Sequence, residues 1–346
     1  MGGFRIKQVL DAESVYYYNS KSSDIVSSIG NRIYARLDDT EYKFAIPVSS
    51  RFLPLLPFRL TRRALRLDMA NIVVNHDRSG LVILYQGILY FFDVADGSIR
   101  QTGRMRHCRN VLYNGIAVTD KGIYFGEYGA NSERAAVPVW CSRDGGRSWN
   151  VVHEFAQGSI KHVHGVYVDP YSELLWIPTG DFEGECYLHC VDENFDRLET
   201  LGDGTQQWRP VSLLFEKDKI LWGMDSQLET SYLQEFDRAT GALSRHREFP
   251  GPVWYSKQFP DGSALLQTVV EVGPGVKSDH AHVFASKDNR KWNEVVRYKK
   301  DRWPMRFFKF GVVSFADGTQ TSDDFVLFGE GLVGMDGKAV IASIDA

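Results

Sequence analysis

Two histidines in the segment His162-Val-His164-Gly165, followed downstream by Asp181, have the clearest potential for chemistry in this sequence. In a β-strand, residues i and i+2 point to the same side, so both imidazoles should face one surface. Three interpretations are open: a metal pair completed by Asp181 or Gln207, a general base with its orienting partner, or a satisfied structural pair. We therefore expect no obligatory cofactor, with a divalent metal as a possible ligand of His162 and His164.

Arginine and a tyrosine–glutamate combination offer a second kind of chemistry. Arginine is the side chain best suited to bidentate capture of a carboxylate, and the candidates are Arg109, Arg209 and Arg306. Glu271 could draw the phenol proton from Tyr255 and so create a nucleophile. Alternatively, arginine neutralises a uronic-acid carboxylate while His164 or Tyr255 removes the α proton.

The elements that must position these residues form a repeat. Short apolar segments rich in Val, Ile, Tyr, Phe and Trp alternate with Gly, Asp, Asn and Ser turns, which predicts an all-β protein. A strand that ends in aspartate recurs at intervals of 55, 51, 48, 45, 51 and 57 residues, at Asp38, Asp93, Asp144, Asp192, Asp237, Asp288 and Asp345. Repeats of about 40–50 residues with several short strands are typical of propeller blades. We predict one domain over residues 1–346, a seven-bladed β-propeller of four-stranded antiparallel blades, with six blades as the alternative.

The strands can be assigned within one repeat and at the chain ends. In the fourth repeat we predict strands at 162–169, 174–178, 186–192 and 197–201. The last repeat lacks a fourth strand, and we expect Phe4 to Leu10 to supply it and close the ring, because an unpaired edge is a liability. Residues 49–68 fit no strand, and we predict an irregular insertion between blades 1 and 2.

In a propeller, the start of the first strand and the end of the second strand line the ligand face of each blade, an expectation that rests on analogy between folds. The residues at those predicted positions are Arg109 with Glu127, His162 and His164 with Asp181, Arg209 with Asp225, Tyr255 with Glu271, and Arg306 with Glu330. If they converge, they form a deep polar pocket. Tyr128 lies near the same face and could stack on a sugar, while the alternation of Trp208 with Arg209 and of Trp254 with Tyr255 predicts that Arg209 and Tyr255 face inward.

One turn carries a family motif. The residues Ser142, Asp144, Gly146 and Trp149 match the pattern S-x-D-x-G-x-x-W, and Ser286, Asp288 and Trp292 form a shortened copy. The chain resembles the Asp-box, or bacterial neuraminidase repeat, propellers, in particular a sialidase-like branch described loosely as glycosyl hydrolases. The resemblance implies that these residues are structural, at the turn between the third and fourth strands and opposite the active site.

Composition excludes several partner classes. Of 346 residues, 40 are Lys or Arg and 44 are Asp or Glu, so the net charge is -4, and the one dense basic cluster is Arg59, Arg62, Arg63 and Arg66. This pattern disfavours nucleic acid, whose binding surfaces spread positive charge along a face. No apolar run approaches the ~20 residues of a membrane span, and no signal-peptide core is present, so we expect a cytoplasmic protein. The four cysteines lack disulfide spacing and should be free buried thiols.

The residues together predict a carbohydrate-active protein. We expect it to bind an acidic oligo- or polysaccharide, containing uronic or nonulosonic acid, in the central pocket. Cleavage would occur by hydrolysis or β-elimination, as in a glycoside hydrolase or a polysaccharide lyase. The alternative is a non-catalytic propeller that serves as a glycan-binding or protein-assembly platform.

Overall fold

The computed structural model describes residues 3–344. Within that range, twenty-eight strands form seven four-stranded antiparallel sheets, and the fold is a seven-bladed β-propeller. The predicted fold class is confirmed, and the six-bladed alternative is wrong. Asp345, the last aspartate of the sequence repeat, lies outside the described residues.

Contacts divide the described chain into two compact units. The first contains residues up to 69, 227–230 and residues from 249 onward. It holds blade 1, with β2 (Ser14–Tyr18), β3 (Ile25–Ile29), β4 (Arg32–Leu37) and β5 (Thr40–Ala45). It also holds blade 6, with β22 (Val253–Gln258), β23 (Ala264–Thr268), β24 (His280–Ser286) and β25 (Asn293–Lys299), and blade 7, with β26 (Val312–Phe315), β27 (Phe325–Glu330), β28 (Lys338–Ile344) and β1 (Phe4–Leu10).

The second unit contains residues 70–226 and 231–248. Blade 2 has β6 (Ala70–Val74), β7 (Gly80–Tyr85), β8 (Ile88–Asp93) and β9 (Ile99–Arg104), and blade 3 has β10 (Ala117–Val118), β11 (Ile123–Gly126), β12 (Val137–Ser142) and β13 (Asn150–Phe155). Blade 4 has β14 (Tyr167–Val168), β15 (Leu175–Thr179), β16 (Cys186–Val191) and β17 (Glu199–Gly204), and blade 5 has β18 (Leu214–Phe215), β19 (Lys219–Gly223), β20 (Ser231–Asp237) and β21 (Leu243–Phe249).

The N-terminal strand completes blade 7, as predicted. β1 pairs antiparallel with β28, from Phe4 opposite Ile344 to Leu10 opposite Ala339, and it lies at the edge of that sheet. Its side chains are mostly exposed, whereas β27 is buried throughout. An edge strand pairs with a neighbour on one side only and can expose its side chains to solvent, so the charged residues in β1 do not prevent its pairing with β28.

The segment 49–68 is not irregular, and that part of the prediction was wrong. It contains a 3₁₀ helix, Ser50–Leu55, and the helix α1, Arg59–Leu65. The buried side chains of Arg62 and Arg63 anchor α1 within the first unit, because Arg62 binds Glu13 and Arg63 lies 2.8 Å from Asp301. The basic cluster seen in the sequence is therefore largely neutralised by internal ion pairs.

The core of the second unit lies between consecutive blades. One apolar cluster between blades 3 and 4 includes Val139, Val163 and Ile177, and another between blades 4 and 5 includes Trp208 and Trp222. Val139, Ile177 and Trp222 come from strands, whereas Val163 lies in an isolated bridge and Trp208 in a 3₁₀ helix. All four cysteines are free and buried, as expected, and burial raises the pKa of the Cys186 thiol to about 12.

Candidate functional site

The two histidines of the H-x-H segment lie just before β14 rather than inside it. Val163 forms an isolated antiparallel bridge with Thr179 at the end of β15, so the backbone is extended at this point. Val163 packs into the core, and a Cβ added at Gly126 would lie 2.4 Å from it, which explains the glycine there. Because Val163 points into the core, His162 and His164 both point the opposite way. The prediction of one long strand over residues 162–169 was wrong, since β14 is only Tyr167–Val168.

Both imidazoles face Asp181, which follows β15. The Nε2 atom of His162 lies 3.3 Å from Asp181 Oδ1, and the Nε2 atom of His164 lies 3.5 Å from the same oxygen. His162 is 2% exposed, His164 1% and Asp181 8%. We call the group His162, His164, Asp181, Arg209 and Asp225 the polar centre.

Arg209 joins the two carboxylates of the polar centre. One of its terminal nitrogens lies 2.7 Å from Asp181 Oδ1 and 3.1 Å from Asp225 Oδ2. Arg209 faces this centre while Trp208 enters the apolar core, as predicted from their alternation. A guanidinium held by two buried carboxylates is already paired, so Arg209 is a structural cation here rather than a free receptor for a substrate carboxylate.

Gln206, not Gln207, supports this arrangement. A 3₁₀ helix, Gln206–Trp208, turns the Gln206 side chain inward, where it donates to the Asp181 carbonyl oxygen at 3.1 Å and accepts from Ser226 at 2.8 Å. Gln207 instead uses its carbonyl oxygen to accept from the Trp222 indole. The helical turn shifts the facing by one residue relative to an extended strand, which is why the sequence favoured the wrong glutamine.

Backbone carbonyls determine the tautomer of both histidines. The Nδ1 atom of His162 lies 2.7 Å from the Gly129 oxygen, and the Nδ1 atom of His164 lies 2.7 Å from the Pro210 oxygen. A carbonyl oxygen can only accept, so each Nδ1 carries the proton. In the neutral rings, both Nε2 atoms therefore present lone pairs toward Asp181.

Burial governs the ionisation of the polar centre. It lowers the pKa of His162 below its ordinary value, even though Asp181 acts in the opposite direction. Burial alone would raise the pKa of Asp181, but its neighbours, among them the positive charge of Arg209, outweigh burial and lower that pKa. The Asp181 carboxylate is thus ionised at neutral pH.

The side of Asp181 nearest solvent carries cations and an aromatic ring. Lys161 binds Asp181 Oδ2, and the exposed ring of Phe182 lies 5.4 Å from the Lys161 ammonium and 5.5 Å from the Arg134 guanidinium. Tyr128 is half-buried and lies against His162, with ring centroids 4.1 Å apart. We call Lys161, Arg134, Phe182 and Tyr128 the cationic rim.

In blade 3, the predicted pair Arg109 and Glu127 does not form the expected site. Arg109 is exposed, whereas the buried Glu127 carboxylate accepts from the backbone nitrogens of Arg106 and His107 at 2.6 and 2.7 Å and from the Trp140 indole at 3.0 Å. Glu127 therefore organises the loop that follows β9. Arg109 lies in this loop and not in a strand, so strand alternation does not direct its side chain inward, and the side chain is exposed.

In blade 7, the prediction of an Arg306–Glu330 pair was also wrong. Arg306 is exposed on the short helix α2, Met305–Phe308, and Glu330 instead lies 2.9 Å from the ammonium of Lys309. The same ammonium is 3.0 Å from Asp68, and all three of these side chains are buried. Because α2 interrupts the extended backbone, Lys309 rather than Arg306, three residues earlier, supplies the buried cation. A prediction that assumed a continuous strand here could not identify Lys309.

Tyr255 and Glu271 belong to blade 6, in the first unit. Tyr255 lies in β22 and is 3% exposed, and Trp254 is half-buried with its ring edge on Phe310. Glu271 is half-buried and follows β23.

The turn that contains Asp144 joins β12 to β13. The Asp144 carboxylate accepts from the backbone nitrogens of Arg147 at 3.0 Å and Ser148 at 2.8 Å, and Ser142 donates to it at 2.8 Å. Gly146 has φ +102°, and Trp149 packs edge-on against Phe125. These contacts stabilise the turn.

A second turn with related contacts joins β24 to β25. The Asp288 carboxylate accepts from the backbone of Arg290 at 3.0 Å and Lys291 at 3.2 Å, Ser286 lies 3.4 Å from it, and Trp292 is buried. The carboxylates of Asp144 and Asp288 are therefore both occupied by their own turns.

The sequence did not indicate the roles of Lys161, Gln206, Ser226, Asp68 or Lys309 in these hydrogen-bond and ion-pair networks, nor those of Arg134 and Phe182 in the cationic rim. Lys161 immediately precedes His162, which in a regular strand would place it on the other face. Lys161 lies outside β14, which begins at Tyr167, so strand alternation does not determine its facing and its ammonium reaches Asp181. The adjacency of Lys161 to the H-x-H segment was the one available signal.

Comparison with known proteins supports the propeller fold but assigns no family or function. No family model matches the chain, and no curated protein matches it. A chain in the crystal structure of the Mitotic Checkpoint Complex has a TM-score of 0.58 at 11% identity, covering 98% of this chain and 94% of that one. The extracellular domain of BT4673 from B. thetaiotaomicron has a TM-score of 0.58 at 11% identity over 99% of this chain and 40% of that one, and the AfRom2 CNH domain has 0.52 at 8% over 98% and 94%.

No helix within residues 3–344 is long and apolar enough to cross a membrane.

Proposed function

We propose that the protein binds an acidic saccharide at the cationic rim and cleaves it at the polar centre. The observation that carries this proposal is the environment of Asp181. Two histidines in one tautomer lie on its buried side, and Lys161, Phe182 and Arg134 lie toward solvent. Exposed aromatic rings stack on the apolar faces of sugars, and neighbouring cations attract carboxylates.

The rim replaces the three arginines as the basis for recognising an acidic sugar. Arg209 is paired internally, and Arg109 and Arg306 are exposed outside the polar centre. Lys161 pairs with Asp181 and Arg134 pairs with Glu185, but their side chains are 20% and 25% exposed, so part of each cation still faces a ligand in solvent. We expect uronic- or nonulosonic-acid units to bind more tightly than neutral ones, and high salt to weaken that preference.

The histidine pair supplies the base. A neutral imidazole with Nδ1 protonated offers its Nε2 lone pair to accept a proton. In β-elimination, the base takes the proton α to the carboxylate, a carbon–carbon double bond forms, and the glycosidic carbon–oxygen bond breaks with the leaving oxygen taking a proton. In hydrolysis, the base activates water instead, and one water is added across the cleaved bond.

The test is a panel of oligosaccharides that contain uronic or nonulosonic acids, with products analysed by mass spectrometry. Hydrolysis gives two products whose masses sum to substrate plus water, and elimination gives an unsaturated product without water. We expect His164→Gln to abolish turnover, while His189→Gln, at a buried histidine in β16 of the same blade, retains it. Lack of binding and turnover across the panel, or unchanged turnover in His164→Gln, would reject the proposal.

A non-catalytic assembly platform is the second candidate, favoured by exposed apolar side chains on the 49–68 segment. Leu53, Phe58 and Leu65 are 53%, 63% and 39% exposed. Contiguous exposed apolar surface marks protein interaction sites. Saccharide binding without any product in the panel would favour a non-catalytic role of the propeller over cleavage.

A further inference from the structure

We infer that His162, His164 and Asp181 form a binding site for a divalent transition-metal ion, with zinc as the best match. The three ligand atoms, one from each residue, lie within 4.8 Å of one another. Among residues 3–344, no other group of three histidine, cysteine or acidic side chains converges in this way.

The distances fit tetrahedral coordination. Zinc binds histidine nitrogen and carboxylate oxygen at about 2.0–2.1 Å, so two ligands of a tetrahedron lie roughly 3.3–3.4 Å apart. The observed separations from Asp181 Oδ1 are 3.3 Å to His162 Nε2 and 3.5 Å to His164 Nε2. Each histidine nitrogen is therefore spaced from Asp181 Oδ1 as two ligands of one ion would be, and all three atoms lie within 4.8 Å of one another.

One of the three proposed ligand atoms is buried and has no hydrogen bond. The Nε2 atom of His164 has no hydrogen-bond partner, and its side chain is 0% exposed. A buried polar atom left unsatisfied is costly, so the arrangement calls for a cation between the acceptors. The two candidates are a metal ion and an extra proton on one imidazole.

The surroundings of the rings match those of metal-binding histidines. Such histidines usually donate their other ring N–H to a carbonyl or carboxylate, which orients the ring and strengthens the ligand. Gly129 and Pro210 provide carbonyl oxygens at 2.7 Å from Nδ1 of His162 and His164, respectively. Both rings are thus held with Nε2 directed at Asp181.

The charges nearby permit a cation. Arg209 donates to Asp181 Oδ1 at 2.7 Å, and Asp225, 3.1 Å from the same nitrogen, offsets its positive charge. A carboxylate oxygen has two lone pairs, so Oδ1 can accept this hydrogen bond and still bind a metal. Lys161 binds the other oxygen of Asp181, toward solvent, and so does not block Oδ1. Three protein ligands leave a fourth tetrahedral position for water or substrate, which is the arrangement of catalytic rather than structural zinc sites.

This inference deepens the proposed function and, as a cleavage cofactor, rests on it. An ion at this position would occupy the Nε2 lone pairs of both histidines, so a water made more acidic by the ion, rather than an imidazole, would supply the base for cleavage. The presence of the ion, in contrast, can be measured without any substrate.

The experiment uses the full chain, stripped with a chelator and dialysed. Elemental analysis after exposure to zinc, and titration calorimetry, should show one equivalent bound. Cobalt(II) in place of zinc should give the intense visible absorption of a tetrahedral complex. His164→Gln and Asp181→Asn should each weaken zinc binding by about 100-fold or more.

His189→Gln is the matched control, because it removes a buried histidine of the same blade and leaves the proposed ligands intact. It should bind zinc as the parent protein does. Circular dichroism and thermal unfolding establish that each variant is folded. Should His164→Gln fail to fold, Asp181→Asn and the cobalt spectrum of the parent protein decide the question.

The outcomes separate the metal from the function. A folded parent protein that takes up no stoichiometric zinc or cobalt overturns the metal site and leaves the shared proton as the bridging cation. Unchanged zinc affinity in folded His164→Gln overturns it as well. Metal binding without turnover of any saccharide supports the site and contradicts the proposed function. Turnover by metal-free protein that does not change when zinc is added supports the function and contradicts a role of the ion as its cofactor.

Discussion

The guanidinium of Arg209 lies 3.1 Å from the carboxylate of Asp225, and each side chain is only 4% exposed. Removing one member of a buried ion pair leaves an uncompensated charge, which costs about 3–5 kcal/mol. We expect Arg209→Met to lower the free energy of unfolding by that amount, measured by urea denaturation. Asp225→Asn should cost less, because Arg209 retains Asp181 as a partner.

A surface pair provides the control for that measurement. Arg100 lies 2.9 Å from Asp93 but has a side-chain exposure of 57%, so Arg100→Met should cost less than about 1 kcal/mol. Equal losses in Arg209→Met and Arg100→Met would show that burial does not strengthen the Arg209 interaction.

Lys309 should contribute far more to stability than Arg306. Lys309→Met leaves the buried carboxylates of Asp68 and Glu330 facing each other without their cation, and we expect a loss of about 3–5 kcal/mol. Arg306→Met changes an exposed side chain and should stay within about 0.5 kcal/mol of the parent protein. Urea unfolding of both variants at pH 7 is the measurement, and a larger effect at Arg306 would contradict the structure.

His189 should make stability depend on pH. Burial, with a further contribution from His153, lowers the pKa of His189 from 6.5 to about 4. Between those values the unfolded chain binds a proton that the folded protein does not, so stability is full above pH 6.5 and falls as the pH drops toward 4. Protonation of His189 should lower the free energy of unfolding by an amount on the order of 3 kcal/mol over this pH interval.

His189→Gln tests this dependence by difference. Other buried groups also titrate, so the free energy of unfolding should be measured for both proteins from pH 7.5 to pH 4. The parent protein should lose more stability than His189→Gln over that interval. Parallel curves would contradict a lowered pKa at His189.

Gly146 should tolerate no side chain. It has φ +102°, and an added Cβ would lie 2.2 Å from a methyl carbon of Val82. Gly146→Ala should therefore destabilise by more than the ~1 kcal/mol that an unfavourable φ alone causes. Gly158 has φ +85° with nothing within 4 Å, so Gly158→Ala isolates the backbone cost. Thermal unfolding compares the two, and an equal loss would show that the contact with Val82 relaxes freely.

The sequence by itself determined the repeat. Strand length, turn residues and the recurring aspartate predicted seven sheets, because apolar alternation and turn chemistry are local properties. The pairing of β1 with β28 followed from the repeat, because the last repeat lacks a fourth strand of its own. Alternation also placed His162 on the same side as His164, since a two-residue period survives even where the extended backbone forms a single bridge at Val163.

Only the tertiary structure decided which charged residues meet. The short helical turns at Gln206–Trp208 and Met305–Phe308 replaced an extended register and brought Gln206 and Lys309 inward in place of Gln207 and Arg306. Ion pairs such as Lys309–Asp68 join residues far apart in the chain, and burial of both partners depends on packing that no local pattern encodes. The same packing aims two imidazole nitrogens at one carboxylate oxygen, and spacing alone could not distinguish that convergence from two ordinary buried histidines.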